Sequence, residues 1–242
     1  MPLSMPHILI PDTNFITDPA LALTMMARTW GMRARRAAVA ATYSNLTWRG
    51  AQTSASSTTD YTFSSLTFGT ASADRWIIVG VICGGVPTGV TIGGVAATKI
   101  VDDNGSGKSS IWAANVTSGT TGSIVISTGG DDEMHIGFWT VNMPSGISTD
   151  SGGNNNFSTS VAITNVDIPA NGFSVDCSWG SSATDQTHTI DASFTEQAET
   201  FVAKNGAFSH RETVSAVVGA TVTSTWSAVS GGGCSSCFAS WQ

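Results

Sequence analysis

Charge is what this sequence has least of. Only 11% of its 242 residues are charged, against roughly 25% in an average soluble domain. Helix formers are scarce as well, because 32 Ser, 32 Thr and 26 Gly fill 90 of the 242 positions. Those residue types favour turns and strands. A large helical protein and an ordinary α/β enzyme are both excluded on that ground. No apolar run approaches the ~20 residues of a membrane-spanning helix; the longest near the start, Ala20–Leu23 and Met25–Ala27, is broken by Thr24 and closed by Arg28. The first eighteen residues carry no Lys or Arg and three prolines, unlike a secretory signal. No membrane insertion is expected.

The charge that exists is unevenly spread. Residues 1–50 hold five Arg and two Asp, whereas the rest holds five basic and fifteen acidic residues. An acidic body offers no basic patch for phosphate backbones, so nucleic acid is not an expected partner.

What is present reads as strands behind a distinct N-terminal segment. Pro2, Pro6 and Pro11 keep the first residues extended. Asp18-Pro19 then predicts a helix start, with Asp as N-cap and Pro at the first helical position, running to about Ala41. Gln52–Thr59 is polar and low in complexity, as in a linker. Beyond it, Arg75–Cys83 is a continuous apolar run, expected of a strand covered on both faces. Gly93-Gly94 predicts a two-residue hairpin turn. Ser109–Val116, Gly122–Ser127 and Met134–Asn142 follow at short, even spacing. Phe173–Trp179 alternates strictly, which predicts a half-buried strand with Ser174, Asp176 and Ser178 toward solvent. Further strands are expected in 187–194, 199–203, 207–211, 221–227 and 237–241. No solenoid period is visible. The expectation is an all-β fold, a β-sandwich of jelly-roll type, preceded by an extended arm and a single α-helix. Its parts are an anchoring or assembly segment (1–52), a linker (53–59) and the sandwich (60–242).

Tyr61–Gly69, Ala73–Val81, Val90–Thr98, Ile111–Gly122 and the closing Thr221–Gly233 resemble a recurring β-domain of bacteriophage and prophage virion proteins. The resemblance covers about residues 60–241 and carries no catalytic fingerprint. It implies a jelly-roll-like module displayed on a tail, collar or capsid. It further implies a virion assembled in the bacterial host cytoplasm and released by lysis, other virion proteins as partners, and a symmetric homo-oligomer with a trimer first. The N-terminal segment falls outside it and reads as the attachment device. Trp30, Arg33, Arg35, Arg36 and Trp48 are its candidate assembly contacts, since Trp and Arg are favoured at interfaces.

The chemistry-bearing motifs are few. Gly105–Ser110 (GSGKSS) imitates a phosphate loop, but Asp102 stands where the first Gly belongs and a strand follows where a helix should open. Asp131, Asp132 and Glu133 after Gly129-Gly130 are the densest carboxylates, more readily a solvated turn than a calcium site or an acid pair. No G-x-S-x-G and no zinc spacing occur, so neither an enzyme nor a cofactor is expected. Cys234 and Cys237 flank two serines after a Gly run and are candidates for a local bridge or for disulfides between subunits. Asn154, Asn155 and Asn156 sit in a stretch read as a loop, whose amides could contact a host surface polysaccharide. A carbohydrate-binding adhesin is therefore the alternative to a purely structural role, with a polysaccharide depolymerase behind it.

Overall fold

A computed structural model describes residues 43–104, 108–131, 133–191 and 193–242. Its contacts divide the chain into Met1–Ala40 and Ala41–Gln242, and the architecture below is that of the second unit. The expected arm and helix, with Trp30, Arg33, Arg35 and Arg36, lie outside the described residues.

The fold is all-β. The first half contributes β1 (Ser44–Ser54), β2 (Thr58–Thr67), β3 (Arg75–Cys83), β4 (Gly89–Ile92), β5 (Val95–Ala96), β6 (Thr98–Asp102), β7 (Ser109–Asn115), β8 (Thr121–Asp131) and β9 (Met134–Asn142). The second contributes β10 (Asp150–Asn156), β11 (Ser160–Ile168), β12 (Phe173–Gly180), β13 (His188–Ile190), β14 (Thr195–Phe201), β15 (Asn205–Glu212), β16 (Val217–Trp226) and β17 (Cys234–Trp241). Four sheets form, in the orders β2-β8-β4-β5, β1-β9-β3-β7-β6, β10-β17-β12-β15-β14 and β11-β16-β13. They stack as outer, inner, inner and outer layers.

Each interface between layers has its own apolar filling. Tyr61, Phe63, Ile77, Val79, Ile124 and Phe138 seal the first outer sheet onto the first inner one. Ile78, Ile82, Trp139, Val175, Phe208 and Trp241 join the two inner sheets. Ile163, Val166, Val222 and Phe238, with Val161 and Trp226 beside them, close the second outer sheet. The unbroken apolar run of β3 follows from this: Ile77, Val79 and Val81 point one way, Ile78 and Ile82 the other, and both sides are buried.

The second half repeats the strand order of the first. β10, β17, β12, β15 and β14 occupy the places of β1, β9, β3, β7 and β6, while β11, β16 and β13 occupy those of β2, β8 and β4. The single sandwich expected over 60–242 is thus a pair of sandwiches packed through their inner sheets. Within the first half the chain pairs from the outside inward: β1 with β9, β2 with β8, β3 with β7, β4 with β5. Gly93 and Gly94, at φ +60° and +81°, form the expected hairpin turn of that innermost pair.

Two expectations are corrected. β12 is buried along both faces, because the second outer sheet covers the side that carries Ser174, Asp176 and Ser178. Its polar face is held by Ser236 Oγ donating to Asp176 at 2.7 Å and Ser178 Oγ donating to the Ser235 carbonyl at 3.0 Å. The stretch read as a linker is strand at both ends. Gln52, Thr53 and Ser54 pair with Ile136, His135 and Met134, and only residues 55–57 separate β1 from β2. Small polar side chains look like a linker in sequence, yet an edge strand needs only its backbone groups to pair.

The inner sheets interlock at a pair of glycines. Gly80 and Gly137 are register partners on β3 and β9. A Cβ at Gly137 would sit 2.4–2.9 Å from the Phe208 ring, and one at Gly80 would sit 3.0 Å from the Cys177 Cβ. Their missing side chains make the hollow that receives Phe208 from the opposite sheet.

Candidate functional site

The sequence-derived candidates have mostly structural settings. Trp48 is half-buried on β1, with its ring 4.9 Å from Trp139 and 6.3 Å from Phe208, so it caps the core between the inner sheets. Cys234 and Cys237 are both buried and unbonded. On β17 they stand three residues apart, which places their side chains on opposite faces of the strand. Cys234 packs with Trp226 toward the outer sheet, and Cys237 with Cys177 toward the inner one. A local Cys234–Cys237 bridge is therefore geometrically impossible, and neither sulfur reaches the surface to link subunits. Burial raises the Cys234 thiol to about 11 and holds Cys237 well above its usual range, so both stay protonated and unreactive.

The Asn154–Asn156 stretch is not a loop. It ends strand β10 and pairs with β17 through Asn154↔Ser236 and Asn156↔Cys234. Its side-chain amides donate to backbone carbonyls: Asn154 to Ala162 at 2.8 Å, Asn155 to Asp103 at 3.0 Å, Asn156 to Ser160 at 3.2 Å. The donors that suggested sugar recognition are committed to the fold.

A buried polar cluster lies between the second inner and outer sheets. Asp176, Ser209 and Glu196 are neighbours across β12, β15 and β14. His188 on β13 bonds Glu196 through Nδ1 at 2.5 Å, and its backbone N–H donates to Glu199 at 2.8 Å. Burial, reinforced by Glu196 and partly offset by the Ser236 hydrogen bond and His188, raises Asp176 to about 6. Burial also raises Glu199. Serine, histidine and carboxylates thus converge as in a hydrolytic site. However, Asp176 and Ser209 are 1% and 0% exposed, which leaves no opening for a substrate. Among the described residues no group of three His, Cys, Asp or Glu could hold a metal ion.

Two surface depressions bring charge together. One, about 390 Å³, gathers Lys108, Lys204, Glu133 and Trp179 with the Ser230–Gly232 turn. There the Lys108 ammonium lies 3.9 Å over the Trp179 ring, and the Trp179 indole N–H donates to Glu133 at 3.4 Å, so charges and ring largely satisfy one another. The motif-bearing Asp131–Glu133 segment thus contributes Glu133 as a buried acceptor, not as one of an exposed acid pair.

The other depression, about 280 Å³, lies beside β1 and β9 and is lined by Arg49, Arg75, Thr47, Thr70, Thr140 and Asn142 among others. Arg75 opens β3 and is only 2% exposed. Its guanidinium donates to three neutral carbonyls: Val116 at 2.8 Å, Gly69 at 2.8 Å and Ser118 at 2.7 Å. Arg49 on β1 donates from Nε to Thr140 Oγ1 at 2.7 Å, and its terminal nitrogens lie against Gly69, where a Cβ would overlap them. Burial, followed by the charge of Arg49, lowers the Arg75 pKa. No carboxylate among the described residues forms an ion pair with either guanidinium. Sequence reasoning missed this site, because Arg49 and Arg75 are isolated in the chain and meet only when β1 and β3 both flank β9.

Comparison with protein-family models, with curated proteins and with solved structures finds no match to this chain.

Proposed function

We propose that the protein is a structural display component of a bacteriophage or prophage virion, in a fibre, collar or decoration position. The observation that carries this reading is the repeated strand order. Strands paired from the outside inward and split over two facing sheets are the winding of a jelly roll. Two such rolls packed through their inner sheets make one continuous four-layer body suited to a spacer. The resemblance of residues 60–241 to virion β-domains supplies the setting, with the N-terminal segment gripping the particle and the sandwiches facing outward. Other virion proteins are the partners on this reading, and a symmetric oligomer, a trimer first, is the working form.

The test is solution mass by light scattering for the full chain and for a fragment starting at Ala41, which retains the whole of β1. The expected result is a discrete multimer for the full chain, unchanged by reductant, and a monomer for the fragment. Two compact monomers would overturn the assembly role assigned to the N-terminal segment. The adhesin alternative no longer has the Asn154–Asn156 loop as its motive, and would need a sugar contact elsewhere on the surface.

A further inference from the structure

We propose that the depression holding Arg49 and Arg75 is a binding site for an oxyanion: a carboxylate, sulfate or phosphate group on a small ligand. The argument starts from charge balance. Each guanidinium carries a positive charge, and here the two share one small cavity whose lining includes no acid among the described residues. The chain has acids to spare, with 17 Asp and Glu against 10 Lys and Arg, so the missing counter-charge reflects placement rather than supply. Arg75 is buried and Arg49 half-buried, and two like charges held together without a counter-charge favour the entry of a group of opposite sign.

Geometry says what would enter. A guanidinium carries five N–H donors. Arg75 commits three of them to carbonyls that fix its plane, leaving two. Arg49 commits only Nε, so its four terminal N–H groups have no protein acceptor among the described residues. Of the ten guanidinium N–H groups in this cavity six are uncommitted, and such groups pair with the oxygens of a carboxylate, sulfate or phosphate. The remaining lining is uncharged, with Phe68 and Val141 apolar and Thr47, Thr70 and Asn142 able to meet hydroxyl groups around the anion. At about 280 Å³ the cavity falls just below the usual range for ligand sites, roughly 300–1,000 Å³. It would admit an inorganic anion or one acidic sugar ring, but not the length of an oligosaccharide. Gly69, at φ +76°, contributes by lacking the Cβ that would displace Arg49.

The test is calorimetric titration of the full-length protein with sodium sulfate, sodium phosphate and sodium glucuronate, each against sodium chloride of equal ionic strength. One site per chain is expected for at least one of the three. Binding of glucuronate alone would assign the site to a sugar acid; binding of sulfate or phosphate alone would assign it to the inorganic group. Arg49→Gln is expected to weaken binding by about tenfold or more, while Arg211→Gln, a half-buried arginine on β15 outside this cavity, leaves it unchanged. Side-chain NMR of the wild type gives a readout that needs no variant: the Arg49 and Arg75 Nε–H resonances should move together on titration while that of Arg211 stays still. No binding of any of the three anions, equal binding by Arg49→Gln, or unmoved Arg49 and Arg75 resonances would each overturn the proposal. The display role rests on oligomeric mass and is untouched by any of these outcomes.

Discussion

Asp176 and His135 give the protein opposing responses to pH. Asp176 titrates near 6 in the folded state, above the roughly 3.9 of an unfolded chain. A raised acid contributes its full stability below the unfolded value and loses it as pH rises through about 6. Asp176→Asn should therefore be near neutral at about pH 4 and stabilising at about pH 8, by about 2–3 kcal/mol in urea unfolding. His135 is fully buried and pulled down to about 4 by burial. Its contribution is intact above the unfolded value of roughly 6.5 and is lost as pH falls toward 4. His135→Gln should accordingly flatten the acid side of the stability profile. The cysteines give a simpler expectation. All four are buried and none is in a disulfide, so the native protein should resist alkylation, yield four thiols once denatured, and run as a single chain on a non-reducing gel. That holds even for Cys177 and Cys237, whose sulfurs face each other at 3.1 Å.

Between strands, the decisive contacts involve residues with little or no side chain. The Gly80–Gly137 hollow takes the Phe208 ring, so Gly137→Ala should cost about 1–3 kcal/mol as overpacking in a core. Gly80→Ala, whose nearest contacts are 3.0–3.2 Å, should cost less. Thermal unfolding of the two variants checks the order. The Asn154 amide bonds the Ala162 carbonyl across the β10–β11 turn, and Asn154→Ala should lower stability by about 0.5–1 kcal/mol. Several of these elements were legible beforehand. The apolar run of β3, the Gly93-Gly94 hairpin and the alternation of β12 follow from local pattern. β1 and β10 were not legible, because QTS and GGNNN are turn-like strings that become strand only when β9 and β17 offer backbone partners.

For the whole molecule, the inner sheets make the two halves interdependent. Ile78, Ile82, Ile111, Trp139 and Val141 of the first half share one core with Phe173, Val175, Phe208 and Trp241 of the second. The described unit should therefore unfold in a single calorimetric transition, and residues 43–142 produced alone should aggregate in light scattering. Two resolved transitions would mean that the sandwiches are stable separately.

Composition and local pattern by themselves determined that the described part of this chain is all-β, that β3 is apolar on both sides, and that no familiar catalytic motif is present. They could do so because strand propensity and side-chain alternation are properties of neighbouring residues. The repeat of strand order was hidden because the two halves share a winding but not a sequence: where β3 has Ile and Val on both faces, β12 alternates them with Ser and Asp. Only the tertiary structure decided that this second face is buried, that Cys234 and Cys237 point apart, and that Arg49 meets Arg75. Each depends on which strands lie side by side, a long-range choice that no local window of sequence contains.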